Sequence, residues 1–191
     1  MKSLKKETII SVLVFIIGIV LLFIFVEPET ANKMISDFFE GKTDILAPDG
    51  RVTALGLLRN NVNASLVMFL TGLIPFIFFP LIGMFVNGAI IGALFKLFYA
   101  NGVNILALFI RGILPHGIFE IPALIISAAM GVKLCSTVIG KIRKKDVSIG
   151  ETLKELGFKF VTVVVPLLIV AALVEAYITP VLLGGMVPTL Q

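Results

Sequence analysis

His116 is the only histidine in the chain, and Glu120 follows it by four residues. On a helix that interval places two side chains one turn apart on the same face. A second carboxylate, Glu175, sits in a distant apolar stretch. One imidazole and two carboxylates make an acceptable ligand set for zinc or a similar divalent cation. A cation there would offset the cost of two carboxylates in low dielectric. The same residues can instead form a structural polar network. Glu120 would then accept hydrogen bonds from His116, Asn60, Asn61 or Arg111 and tie neighbouring segments together. A proton or solute path is a third use. Arg111 can also snorkel to the surface, Glu175 can reach water at the end of its segment, and Asn60 and Asn61 can simply open a helix. Hydrolysis is not expected, and the chain reads as a non-enzyme. The HExxH spacing that joins two histidines to a general base is missing, and no Ser or Cys nucleophile adjoins the histidine.

The stretch 111–122 also carries two prolines and two glycines between apolar flanks. Ionisable groups in hydrocarbon usually face a bundle interior or a wet cavity, and broken backbone at that depth must be satisfied by protein or trapped water. The 191 residues are 58% hydrophobic, with a mean hydropathy of +1.09. This defines an all-α, polytopic membrane helix bundle forming one integral membrane domain in the lipid bilayer. The apolar runs are too long and unbroken for alternating barrel strands, and no polar stretch is long enough to bury a soluble core. Sixteen Lys+Arg against twelve Asp+Glu reflect loop orientation rather than nucleic-acid binding. The lone Cys135 rules out an internal disulfide framework and reads as a small helix residue.

Five full crossings are expected, over 9–26, 64–79, 81–99, 117–140 and 160–178. Lys2, Lys5 and Lys6 precede the first. A signal peptide also starts this way, but Glu27-Pro28-Glu29 is no small-residue cleavage site. Residues 27–63 form an extracytoplasmic segment. Within it Ala31, Met34, Ile35, Phe38 and Phe39 make the apolar face of an amphipathic helix, and Gly41, Pro48, Asp49 and Gly50 mark turns. Gly88 and Gly92 form a GxxxG pattern, which lets two helix backbones approach closely and offers a homodimer contact. Asn87 can hydrogen-bond across it. Ser148 and Glu151 fit a capping box.

Residues 104–114 hold about eleven residues before Pro115, roughly half of a ~30 Å core. Seven bases cluster around the 141–159 loop against three acids, which puts that loop in the cytoplasm beside the basic amino terminus. An even number of crossings must separate them. The stretch 104–114 is therefore expected to be a re-entrant half-helix, with the carboxyl terminus extracytoplasmic.

The set Asn60-Asn61, Asn87-Gly88, Pro115-His116-Gly117 with Glu120 and Ala123, and Ala171-Ala172 with Glu175-Ala176 and Thr179-Pro180 resembles the stage II sporulation protein M family over residues 55–183. The resemblance implies a small membrane protein of about five spans. The name-giving member holds peptidoglycan-degrading partners in an envelope complex during spore engulfment. By resemblance the chain is a scaffold or assembly factor in the cell envelope, meeting partners through 27–63 and 141–159. The alternative is an ion or small-solute transporter with an intramembrane His/Glu site.

Overall fold

The computed structural model describes residues 4–40 and 53–184. All regular structure among them is helical. Four helices are long and apolar enough to cross a membrane: α1 (Lys5–Phe25), α4 (Phe79–Ala100), α5 (Ile105–Ile142) and α6 (Ile149–Tyr177). Between them lie α2 (Pro28–Glu40) and α3 (Ala54–Leu70), and α7 (Thr179–Leu183) follows. The turns expected at Gly41, Pro48, Asp49 and Gly50 lie outside the described residues.

Side-chain neighbours set the directions of the helices. Gly88 and Gly92 of α4 meet the backbone of Phe15 and Ile19 of α1, so these two helices run parallel. Along α3, Leu57 clusters with Ala172 and Phe69 stacks on Phe160 at 5.9 Å between ring centroids. Helix α3 therefore runs antiparallel to α6 and traverses the same depth. It starts at Ala54, ahead of the apolar 64–79 run and close to the helix start that the sequence suggests near Val52, and Thr53 caps it by accepting from the Gly56 amide at 3.1 Å. The polar run Asn60, Asn61 and Asn63 is consequently helical. A 3-10 turn over Thr71–Leu73 extends α3, and Phe78 then enters α4 with Pro80 near its start.

The expected half-helix over 104–114 is not a separate element. Helix α5 runs unbroken for 38 residues, about 57 Å at ~1.5 Å per residue. Pro115 has no amide hydrogen to donate and its ring crowds the preceding turn. The chain passes it with a π turn over Phe109–Ile113, in which the Leu114 amide donates to the Phe109 carbonyl. Helix α6 uses the same device before Pro166, with a π turn over Phe160–Val164. The loop and the last span, expected as separate 141–159 and 160–178 segments, therefore include one continuous helix from Ile149. Ser148 caps it as expected, accepting from the Glu151 amide at 3.2 Å.

The surplus length of α5 lies at its basic end. Gly131 abuts Met68, Gly72 and Pro80 at the α3–α4 turn. From the π turn to Gly131 is roughly 33 Å, a membrane thickness, and residues 132–142 project a further ~16 Å. The first charged side chain past Glu120 on this helix is Lys133, whose Nζ lies 3.4 Å from Glu7 of α1.

The glycine pair is spent inside the chain. A Cβ on Gly88 would stand 2.2 Å from the Phe15 carbonyl oxygen, and one on Gly92 2.3 Å from that of Ile19. The GxxxG surface expected as a homodimer contact is covered by α1. Nor does Asn87 bridge that contact; its Nδ2 donates to the Gly83 carbonyl at 2.9 Å, within its own helix.

Candidate functional site

The π turn of α5 delivers the helix into the segment that carries His116 and Glu120. Such turns insert one extra residue and re-aim the side chains that follow. Helix α6 brings Glu175 alongside, and α7 adds Thr179. One ligand atom from each of His116, Glu120 and Glu175 lies within 4.8 Å of the others, and all three residues are half-buried. The Nε2 of His116 is 4.0 Å from an Oε2 of Glu120.

Thr179 orients the imidazole. His116 Nδ1 lies 3.4 Å from the Thr179 hydroxyl, and that hydroxyl donates its proton to the Val174 carbonyl at 3.3 Å. With Nδ1 protonated, the ring would donate to that hydroxyl. In the neutral ring Nε2 then presents its lone pair to the carboxylates. A cation bound there would be met by all three groups. Zinc bonds of ~2.0–2.1 Å place neighbouring tetrahedral ligands roughly 3.3 Å apart. The His116–Glu120 separation of 4.0 Å is roughly 0.7 Å wider than that. A histidine that binds a metal through one ring nitrogen commonly has the other held by a hydrogen bond, the position Thr179 takes beside His116. Thr179→Val is accordingly expected to weaken transition-metal affinity by about 10–100-fold, as read by competition with a chromogenic chelator. Unaltered affinity would show that Thr179 does not hold the ring.

These groups line a cavity of about 440 Å³. Asn60, Asn61 and Asn87 line it too, and Asn60 Nδ2 donates to Asn61 Oδ1 at 2.9 Å. The amphipathic helix α2 packs on α4 through Ala31 and Ile35, and its Ile35 and Phe38 form part of the cavity wall. Arg111 does not join the cavity lining; it is exposed on the π turn. No role was assigned to Thr179 from spacing, and none could be, because it meets His116 across 63 residues.

The bundle of long apolar helices defines a polytopic helical membrane protein. The model of the family described as stage II sporulation protein M matches residues 11–180, and the chain belongs to that family. It is similar to two uncharacterized proteins of Methanocaldococcus jannaschii. One is 29% identical over 180 residues, covering 93% of this chain and 96% of that protein. The other is 31% identical over 191 residues, covering 92% of this chain and 82% of that protein. No solved structure matches.

Proposed function

We propose that this protein binds a divalent, zinc-like cation at His116, Glu120 and Glu175, and that the cation fixes the face on which cell-envelope partners assemble. The observation that carries this reading is the convergence of three ligand atoms from two helices inside one cavity. The role is that of a scaffold or assembly factor, in keeping with the family, and involves no catalysis. A cation at this point would clamp α5 to α6 beside α7, and so set the geometry of the cavity end. By the positive-inside rule the amino terminus and the basic 141–159 loop would lie in the cytoplasm, with five crossings in the chain. The cavity end and the carboxyl terminus are then extracytoplasmic. The size of the cavity favours a second reading, passage of an ion or small solute through an intramembrane His/Glu site.

One preparation separates the two. Wild type and Glu120→Gln are each used to capture partners from a detergent extract of native envelopes, with and without chelator. Both are also reconstituted into proteoliposomes for zinc uptake. Stoichiometric capture that chelator and Glu120→Gln both abolish is the expected result. Capture indifferent to both would overturn metal-dependent assembly, and uptake that falls with Glu120→Gln would establish transport in its place.

A further inference from the structure

The opposite, basic end holds a second and larger recess. It is an open cleft of about 1040 Å³ between the projecting end of α5, the 143–148 connection, the first turns of α6 and the α3–α4 turn. Lys141, Arg143 and Lys145 line it, and none of the three makes an ion pair with a described residue. Two other charges in the lining are already matched within the protein. Lys133 pairs with Glu7 at 3.4 Å, and Glu155 lies 3.7 Å from Lys159. Three cations from one short stretch thus line one cleft without an ion-pair partner among the described residues. They gather at the carboxyl end of a long helix, where the backbone dipole favours positive charge and helps to hold it.

A second observation comes from the backbone. Three described non-glycine residues have positive φ: Phe76 at 72°, Phe78 at 50° and Lys144 at 57°. Phe76 and Phe78 line the cleft, and Lys144 lies between two of its cations. Left-handed backbone at bulky residues is strained and persists where the surroundings hold it, often around ligand sites. Phe76, 60% exposed, and Phe78 thus share the cleft with the three cations. The cleft opens where the apolar belt ends, at the level of the Lys133–Glu7 pair.

We propose that this cleft binds a phosphate group, held by Lys141, Arg143 and Lys145 and flanked by Phe76 and Phe78. The group can be carried by a phospholipid headgroup at the membrane surface or by soluble phosphate. Arginine and lysine bind phosphate through short, charge-assisted hydrogen bonds. Aromatic rings at the interface suit the apolar part of a lipid. The carboxylates of Asp146 and Glu151 line the same cleft, so a headgroup amine finds partners as well. The proposal is independent of the metal reading, since it shares no residue with that site.

The test is calorimetric titration of the full chain in neutral detergent with dihexanoyl phosphatidylethanolamine and, separately, with inorganic phosphate. The triple variant Lys141→Gln, Arg143→Gln, Lys145→Gln is expected to weaken binding by about tenfold or more. Lys154→Gln, which lies outside the cleft, should change it less than about twofold. If the triple variant fails to fold by circular dichroism, Arg143→Gln alone is read against Lys154→Gln. Binding of the lipid alone identifies the headgroup as the source, and equal binding of inorganic phosphate identifies a soluble one. No binding of either probe, or a loss no greater than that of Lys154→Gln, overturns the proposal.

Discussion

Purified protein is expected to carry about one transition-metal ion per chain, and Glu120→Ala and Glu175→Ala to carry less than about a tenth of that. The expectation follows from the ligand count. His116 and Glu120 share a face of α5 and Glu175 comes from α6, so three ligands from two helices meet within 4.8 Å. With three protein ligands, a tetrahedral ion retains one position open to the cavity. Removing either carboxylate leaves two ligands, too few for tight binding from one compact site. Because the ion would bridge α5 and α6 only in the folded state, it also stabilises the fold by mass action. At a free concentration 100 times Kd that contribution is about 2.7 kcal/mol, so chelation should lower the unfolding midpoint of wild type and leave that of Glu120→Ala unmoved. Elemental analysis after repletion with zinc checks the first part. A wild type that stays metal-free would leave His116, Glu120 and Glu175 as a structural polar network.

The largest stability effect is expected at the α1–α4 crossing. Gly88→Ala places its Cβ 2.2 Å from the Phe15 carbonyl oxygen, and the obstacle is backbone. No rotamer relieves it, so the helices must part. Helix association in a bilayer rests on close packing rather than on exclusion of water. Separation therefore forfeits the contact itself, and the cost should fall at the upper end of overpacking penalties, about 3 kcal/mol. Gly88→Val should detach α1 altogether. Gly157→Ala provides the contrast. Nothing lies within 4 Å of its added Cβ, so better helix propensity should stabilise α6 by roughly 0.5–1 kcal/mol. Denaturant titration in mixed micelles measures both. A Gly88→Ala protein as stable as wild type would mean that the crossing opens without cost.

The sequence disclosed the helical class, the ligand candidates and the amphipathic α2, because these depend on local pattern. Apolar runs, an i, i+4 pair and a 3.6-residue stripe are all visible within a few turns. Three things were not visible in local pattern. Pro115 read as a break, since a missing amide and a crowding ring normally end a helix. A π turn avoids both problems by shifting the hydrogen-bond register, and nothing in Phe109–Ile113 announces it. The partner of Gly88 and Gly92 was also hidden. A small-residue pair signals that a helix will be close, not which one. Gly18 of α1 supplies the matching half, with its own Cβ position 2.5 Å from the Phe85 carbonyl oxygen. Convergence of Glu175 and Thr179 on His116 depends on how α6 lies against α5, which no local spacing encodes.

The parallel pairing of α1 with α4 has a consequence for biogenesis. During synthesis α1 is released into the bilayer before α4, while the surface it needs has yet to be made. The chain must add all of α3 and about half of α4 before Gly88 can reach Phe15, a delay of several seconds at ~5–20 residues per second. Throughout that interval α1 lacks its α4 partner. Its composition suits this: its most apolar window has a mean hydropathy of 3.2, with only 17% of that window buried in the finished fold. The helix is thus made to wait first and to dock second, and the glycines make the late arrival of its partner harmless, because they admit a ready-formed helix without any side chain having to move aside.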